Sequence, residues 1–420
     1  MKDILYKYVL AGMLTTLLFL MMGEALAQEN DPAVKVSGFG TIGASYNPSR
    51  EFDFVRDLLQ ASGVGYSKRV DFGIDSRLGL QISAKASDQI ELTGQVVSRR
   101  ALHQFKPELT WAYMKYMPTD ELDLRIGRLG FDVYPLADSR NVAYSYIWVR
   151  PPVDYFGNLI INYIDGVDAV YHYPFGNFTG KLKVFTGQAK EETSTNTPDQ
   201  VFSLKGSKIA GAHIELQSQN WLGRIGYTEL VFANEFPNFE SILLALRSPM
   251  MGMIAPNAPQ LAQQLQFKDK KMRYFAAGLV YDNGPLQAQW MVSRIRSETL
   301  GFASAGSAFF TLAYRVHQWT PDINIAQTFP LHDRPVVTGL PIQFGASIQQ
   351  LEFGIQSIAK ATRSKQTTHS LGLRYALSPN SDLKFQIDRI NNKETLLIRT
   401  PQASWNGKGT IYTCTYNFVF

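Results

Sequence analysis

Hydrophobic and polar residues alternate along most of this chain, in segments of about ten residues that show the two-residue period of β-strands. Short connections that contain turn residues, such as Pro118-Thr119-Asp120, alternate with long connections, such as Asp132 to Ile164. This alternation, with an even number of strands, is typical of transmembrane β-barrels, whereas a propeller or a sandwich would not predict it. The pattern therefore predicts an all-β fold, a transmembrane antiparallel β-barrel with short periplasmic turns and long extracellular loops.

Sixteen segments carry this pattern. We predict strands at Val34 to Tyr46, Arg69 to Lys85, Asp88 to Arg100, Glu108 to Met117, Glu121 to Phe131, Asp165 to Tyr173, Asn177 to Gln188, Ser207 to Gln217, Asn220 to Phe232, Met272 to Tyr281, Leu286 to Arg296, Ser307 to Gln318, Asp322 to Phe329, Thr367 to Leu377, Ser381 to Asn391 and Gly409 to Phe420. The segment Ile342 to Ala361 is apolar enough to supply two further strands, so a barrel of eighteen strands is the alternative. Phe239 to Phe267, in a long loop, predicts one or two short helices broken by prolines.

The two faces of the predicted strands differ in polarity as contact with lipid requires. A charged side chain at the lipid midplane costs about 2–4 kcal/mol, so the charged face must line water. In the second strand, Phe72, Ile74, Leu78, Leu80 and Ile82 are predicted to face lipid, and Asp71, Asp75, Arg77, Gln81 and Ser83 to face the interior.

The N-terminal segment Met1 to Ala27 has the features of a secretory signal peptide. Lys2 and Lys7 precede an apolar run from Val9 to Met22, and Ala25-Leu26-Ala27 forms a cleavage site. The run of 14 residues is shorter than the roughly 20 needed to span a bilayer. We predict an exported protein with a single barrel domain over residues 28–420.

Composition and short motifs exclude several other functions. The net charge of +5 is small and scattered, which argues against a nucleic-acid partner. The single cysteine, Cys414, and the scattered histidines lack metal-ligand spacing, so we expect no metal and no cofactor. Residues 38–43 match the G-x-G-x-x-G string, but no helix follows them, as a dinucleotide-binding unit would require. No G-x-S-x-G motif occurs, and we do not expect an enzyme.

Four stretches carry a family resemblance: Val36 to Gly43, Asp75 to Gln81, Arg125 to Arg128 and the closing Tyr416-Asn417-Phe418-Val419-Phe420. They resemble the sixteen-stranded trimeric porins of Gram-negative outer membranes. The resemblance implies a homotrimer in outer-membrane lipid that forms a water-filled channel for passive diffusion of small hydrophilic solutes and ions. It also implies that Tyr416, Phe418 and Phe420 form a signal read by the outer-membrane barrel assembly machinery.

The same resemblance makes Asp132 to Ile164 a constriction loop that folds into the barrel. The two-residue period of the predicted strands places the side chains of Arg77, Arg99 and Arg125 on the interior face of nearby strands. They are predicted to face this loop. Asp154 is the first choice for an opposing acid and Asp138 the second; alternatively, each arginine pairs with a local acid such as Asp75, Glu91 or Asp123. Further predicted pore-lining residues are Asp75, Glu91, Lys181, Lys183, Arg224, Arg374 and Lys384. With the three arginines they make a lining richer in bases than in acids, which favours anions weakly.

Three alternative functions follow from the same pattern. A substrate-specific, anion-preferring channel would use the long loops and the basic wall to bind one solute. An outer-membrane hydrolase would need a Ser/His/acid constellation at the rim, and an adhesive barrel would need a plugged interior or an appended domain.

Overall fold

A computed structural model describes residues 33–195, 200–332 and 336–420. In these ranges sixteen long strands form one closed antiparallel sheet, in which each strand pairs with its chain neighbours and the first strand pairs with both the second and the last. The predicted count of sixteen is confirmed. The strands are β1 Val34–Tyr46, β2 Arg77–Ser87, β3 Ile90–Ala101, β4 Gln104–Thr119, β5 Leu122–Gly130, β6 Tyr163–Phe175, β7 Phe178–Ala189, β8 Ser207–Gln217, β9 Trp221–Val231, β10 Lys271–Asp282, β11 Leu286–Ser297, β12 Ala305–Tyr314, β13 Trp319–Pro330, β14 Ser364–Ser378, β15 Ser381–Thr395 and β16 Lys408–Val419. The predicted signal peptide lies outside the described residues.

Burial follows the two-residue period along the barrel wall. Leu80 and Ile82 in β2 are 39% and 46% exposed on the outside, whereas Thr93 and Gln95 in β3 are buried on the inside. In β16 the polar residue Asn417 is buried in the same way. An apolar exterior and a polar interior confirm the predicted sorting of the two faces.

One predicted lipid-facing residue, Ile74, lies inside instead. The Asp71 carboxylate accepts hydrogen bonds from the backbone N–H groups of Gly73 (2.6 Å) and Ile74 (3.0 Å), which turns the chain out of the strand path. Ile74 is 2% exposed and belongs to an apolar cluster with Phe52 and Phe54. The predicted strand from Arg69 to Lys85 is therefore interrupted, because a local side-chain bond competes with the sheet here. Val70–Asp71 pairs with β1, and the long strand starts at Arg77.

The connections differ between the two ends of the barrel. At one end they are short, at 88–89, 120–121, 176–177, 218–220, 283–285, 315–318 and 379–380. At the other end most are longer, at 47–76, 131–162, 190–206, 232–270, 298–304, 331–363 and 396–407. The exception at the long end is 102–103, because β3 and β4 continue their pairing up to Ala101 and Gln104.

The described residues of the long loops contain five α-helices, namely α1 Val153–Phe156, α2 Glu240–Leu246, α3 Pro249–Ile254, α4 Ala258–Leu265 and α5 Ala346–Ala361. Pro249 is the first residue of α3, and Pro259 is the second residue of α4. Because proline is favoured at the start of a helix, these residues divide the predicted helical region into three helices. Ile348 and Ile355 are buried seven residues apart on one face of α5, so 346–361 has a helical period and the eighteen-strand alternative is wrong. In the described parts of the chain, every helix is too short or too polar to cross a membrane.

The barrel closes where β1 meets β16. Gly38 and Phe420 exchange backbone hydrogen bonds of 2.8 and 2.9 Å. A Cβ atom at Gly38 would overlap the ring of Phe420, and one at Gly40 would overlap the ring of Phe418. Because Gly38 and Gly40 have no side chains, the rings of Phe420 and Phe418 pack directly against the backbone of β1. This packing explains why Phe418 is only 8% exposed although it lies on the outward face.

Candidate functional site: an arginine-lined constriction inside the barrel

The segment 131–162 between β5 and β6 enters the barrel and reaches the opposite wall. The indole Nε1 of Trp148 donates a 2.9 Å hydrogen bond to Thr311 in β12. The backbone N–H of Val149 donates another of 2.9 Å to Gln386 in β15. Tyr155 of α1 stacks edge-on against Phe309 of β12 with ring centroids 5.2 Å apart. This segment therefore crosses the interior of the barrel and narrows it.

Arg150 is the strongest anchor of the segment to the wall. Its guanidinium group donates to Asp75 at 2.6 and 2.9 Å and to Asp388 of β15 at 2.7 Å. Further hydrogen bonds reach Ser45 and Thr413, and the residue is 1% exposed. Burial alone would raise the pKa of the Asp75 carboxyl, but the Arg150 and Arg56 charges outweigh it and hold that pKa at about 2.

Lys384 of β15 holds the middle of the segment. Its ammonium group donates to the backbone carbonyls of Ala143 at 2.6 Å and Trp148 at 3.1 Å, and also to that of Tyr146. Lys384 is 1% exposed. Because three carbonyls share one charged donor, the segment keeps its path without regular secondary structure.

The two ends of the segment are tied to each other and to the near wall. Arg224 of β9 donates to the carbonyls of Asp132 and Tyr134 at 2.7 and 2.8 Å. Arg140 donates to the carbonyl of Ile161 at 3.0 Å and to the hydroxyl of Tyr134 at 3.1 Å. These bonds give both ends of the segment defined positions inside the barrel.

A cavity of about 70 Å³ lies between this segment and the wall formed by β2, β3 and the first loop. Arg56, Arg77, Arg99 and Arg140 line it together with one acid, Asp57. Since a water molecule takes about 30 Å³ of liquid, this volume corresponds to about two waters. The cavity is narrow and its lining is predominantly positive.

Two of these arginines lie directly opposite each other across neighbouring strands, since Arg77 of β2 is in register with Arg99 of β3. Arg99 pairs with Glu108 at 3.2 Å, and Arg56 pairs with Asp75 at 3.1 Å. Arg77 is 7% exposed and, within the described parts of the chain, has no ion pair or hydrogen bond from its side chain. Like charges directly opposite each other destabilise a sheet, so this pair is costly for the fold.

The third predicted constriction arginine, Arg125, does not line the cavity. It forms a bidentate pair with Asp168 of β6, at 2.8 and 2.6 Å. Arg125 and Asp168 are in register across β5 and β6, and this cross-strand position decides the partner. The suggested local partner Asp123 instead pairs with Lys115 at 3.1 Å.

The two acids predicted to oppose the arginines also lie away from the cavity. Asp154 is fully buried in α1, and burial raises the pKa of its carboxyl to about 7, with the nearby Asp388 carboxylate acting in the same direction. Asp138 lies on the 131–162 segment and is exposed to solvent. Desolvation there and the Asp132 carboxylate raise the pKa of Asp138 to about 6. The lining acid of the cavity is Asp57 instead.

The remaining predicted lining residues face inward, but most of them form ion pairs or hydrogen bonds with other residues of the wall or of the 131–162 segment. Lys183, Arg224 and Lys384 are buried against the 131–162 segment. Lys181 pairs with Glu215 at 3.2 Å, Arg374 pairs with Asp382 at 2.8 Å, and Glu91 accepts a hydrogen bond from Thr93 at 3.3 Å. Their charges are thus largely compensated within the wall.

Sequence reasoning missed Arg56 and did not assign a function to Arg140. Arg56 lies in the first loop, where no strand period marks its direction, and it reaches the cavity because the loop folds inward through Phe52 and Phe54. Among the described residues, no group of three or more His, Cys, Asp or Glu side chains could hold a metal ion.

Comparisons with known proteins rest on the fold. No protein-family model matches the chain, and no curated protein sequence matches it. The anion-selective porin from Comamonas acidovorans superimposes with a TM-score of 0.53 at 13% identity, covering 92% of this chain and 99% of that chain. The outer membrane channel DcaP of Acinetobacter baumannii gives 0.52 at 13% identity, covering 94% and 100%.

OprB of Pseudomonas putida gives a TM-score of 0.51 at 11% identity, covering 92% of this chain and 94% of that chain. In all three cases the similarity extends over nearly the whole length of both chains. Together with the closed sheet of sixteen strands and the segment that enters it, this similarity shows that the chain has the porin fold.

Proposed function

We propose that this protein is an outer-membrane porin, a passive channel for small hydrophilic solutes and ions that prefers anions. The observation that carries the proposal is the cavity beside the 131–162 segment, where four arginines and one acid surround a space of about 70 Å³. Arg77 contributes a positive charge there that has no ion-pair partner within the described parts of the chain.

The physical basis is the field inside a narrow passage. Charges in a partly desolvated constriction act more strongly than in bulk water and attract mobile ions of opposite sign. The Arg77–Arg99 pair destabilises the wall, because two like charges lie directly opposite each other. At the narrow part of the interior the same two charges attract anions. One similar solved structure is an anion-selective porin, which agrees with this sign of selectivity.

The same proposal includes location and assembly. We propose that residues 1–27 direct export, that residues 28–420 form a single domain in outer-membrane lipid, and that three chains associate as a homotrimer. Tyr416, Phe418 and Phe420 would serve as the signal for the barrel assembly machinery, and the exchange of hydrogen bonds between Phe420 and Gly38 gives the last residue a structural role as well.

We also propose that the protein is not an enzyme. The buried charged residues of the interior hold the 131–162 segment or line the cavity, and the similar solved structures are described as porins and channels. A general esterase and peptidase assay on the folded barrel should therefore give no turnover above a heat-denatured sample.

The test is the reversal potential of single channels in planar bilayers under a KCl gradient. We expect chloride to be favoured over potassium, and Arg77→Gln to reduce this preference at least about twofold, because it removes the uncompensated charge. Arg273→Gln is the matched control, since Arg273 pairs with Glu229 at 3.2 Å near the rim, away from the cavity. Equal selectivity in the wild type and Arg77→Gln would contradict the proposed constriction.

A substrate-specific anion channel is the second candidate, and the small volume of the cavity favours it. A passage of about two water volumes allows close contact between a solute and several arginines. Adding inorganic phosphate, acetate or succinate to the chloride solution separates the two functions. Block by one of them at micromolar concentration would indicate a specific site, and the absence of such block would support the general channel.

A further inference from the structure

A second cavity, which we call the upper chamber, lies at the loop end of the barrel and has a volume of about 460 Å³. The end of the 131–162 segment and the inner faces of β8–β11 form its walls. Ser357 to Thr362, at the end of α5, and Leu58 and Leu396, from two other loops, complete the enclosure. The upper chamber is distinct from the arginine-lined cavity, and only Leu159 lines both.

The lining of the upper chamber is apolar and carries no formal charge. Leu204, Ile209, Leu230 and Phe232 are each at most 5% exposed, and Phe267 closes one side. None of the lining residues in the described parts of the chain is Asp, Glu, Lys, Arg or His. A charged solute would lose its hydration there without gaining a partner, so the chamber selects against the ions that the arginine-lined cavity attracts.

Two polar atoms on this apolar surface lack partners within the described parts of the chain, the Thr228 Oγ1 and the Asn158 Oδ1. The Tyr274 hydroxyl instead faces the hydroxyls of Tyr155 and Ser293. Thr228 of β9 and Tyr274 of β10 are directly opposite each other, and are 3% and 7% exposed. Buried polar atoms are normally hydrogen-bonded, so the Thr228 hydroxyl without a partner in a large cavity indicates a site for a ligand's polar group.

We propose that the upper chamber binds an uncharged, mostly apolar small molecule with one hydrogen-bonding group, which the Thr228 hydroxyl holds. An apolar cavity of about 150 Å³ accepts one benzene molecule, so 460 Å³ admits roughly three times as many atoms, about 18 excluding hydrogen. This range fits fused-ring phenols, terpene alcohols and medium-chain alcohols. The proposal does not depend on the ion selectivity of the channel.

The first experiment uses 1-naphthol as the probe and the folded full-length mature chain in amphipol, with naphthol fluorescence as the readout. We expect saturable binding of one molecule per chain. The charged analogue 1-naphthalenesulfonate is expected to bind at least about tenfold more weakly, because the chamber offers no counter-charge. Equal binding of the two compounds would overturn the proposal.

Filling the chamber gives the second test. Ile358→Trp places a large ring on the face of α5 that lines the chamber, and we expect binding to weaken at least about tenfold, since the ring occupies the ligand's space. Phe353→Trp is the matched control, because Phe353 lies on the same helix with its side chain 74% exposed. Leu204→Trp fills the chamber from another side and is used if Ile358→Trp does not fold. Unchanged binding in a folded filled variant would show that naphthol partitions into the amphipol only and would overturn the proposal.

The polar anchor is tested by Thr228→Val, which removes the hydroxyl group with little change of shape. We expect it to weaken 1-naphthol binding about fivefold and to leave naphthalene binding unchanged, as the loss of one hydrogen bond predicts. Tyr227→Phe is the control, since Tyr227 is the outward-facing neighbour, 46% exposed. If Thr228→Val binds 1-naphthol as tightly as the wild type, the assignment of Thr228 is wrong.

Discussion

Replacement of Arg150 by methionine tests whether buried ion pairs hold the segment that narrows the barrel. Arg150 is 1% exposed and bonds to two carboxylates, those of Asp75 and Asp388, at 2.6–2.9 Å. Removal of one member of a buried ion pair typically costs about 3–5 kcal/mol, because the remaining charge stays buried without compensation. Arg56 still pairs with Asp75 at 3.1 Å, so we expect a loss near the lower limit, about 3 kcal/mol.

The free energy of unfolding is measured by urea titration of the refolded barrel in detergent, followed by tryptophan fluorescence. The single-channel conductance of Arg150→Met should rise, since the anchor between the 131–162 segment and the wall is lost. Arg273→Met is the control, because the Arg273 side chain is 41% exposed and solvent screens its ion pairs with Glu229 and Glu298, so the loss of these pairs should change stability little.

A double variant separates the loss of charge compensation from a loss of packing. In Arg150→Met with Asp388→Asn, one uncompensated carboxylate is removed, so the second substitution should restore more than about 1 kcal/mol of the lost stability. If Arg150→Met unfolds at the same urea concentration as the wild type and conducts equally, the anchoring role is refuted.

Three further changes have defined outcomes. Lys384→Met leaves three segment carbonyls without their charged donor, and we expect a loss of about 3 kcal/mol in the same urea titration. The pKa of the buried Asp154 carboxyl is raised from 3.8 to about 7, so this group lowers the stability of the folded state as pH rises through this range; between pH 4 and pH 8 the loss of stability should be up to about 4 kcal/mol smaller in Asp154→Asn than in the wild type. Gly40→Ala places a methyl group against the Phe418 ring and should reduce the refolding yield measured by heat-dependent gel migration, whereas Gly223→Ala, where the added carbon meets its nearest neighbour at 3.6 Å, should refold like the wild type.

The fold could be predicted from the sequence in most of its elements because a barrel wall has lipid on one side and a polar interior on the other. That environment imposes a two-residue period on each strand, and the residues 207–217 show it so clearly that the predicted and observed boundaries agree. The errors arose where local hydrogen bonds or a helical period replaced the strand period. Asp71 turns the chain before Ile74, and Ile348 and Ile355 mark a helix in a stretch whose composition also fits strands.

The candidate site could be predicted only in part. The two-residue period of a strand shows that a side chain points inward, but it does not show which residue pairs with that side chain. Arg77 and Arg99 lie in the cavity, as their parity indicates. Arg125 has the same parity, but the register of β5 and β6 places Asp168 against it. The partner of an inward charge depends on register and on the path of the loop that enters the barrel, and neither has a local sequence signal.

By itself, the sequence determined the sixteen strands, their two faces, the alternation of turns and loops and the aromatic closing strand, since each follows from a repeating local pattern. The tertiary structure alone decided what occupies the interior. Arg150 and Asp388 are 238 residues apart, and Tyr274 and Thr228 meet only through strand register. Contacts between distant residues depend on how closed strands and folded loops pack in three dimensions, so the constriction and the apolar chamber above it became visible only in the folded molecule.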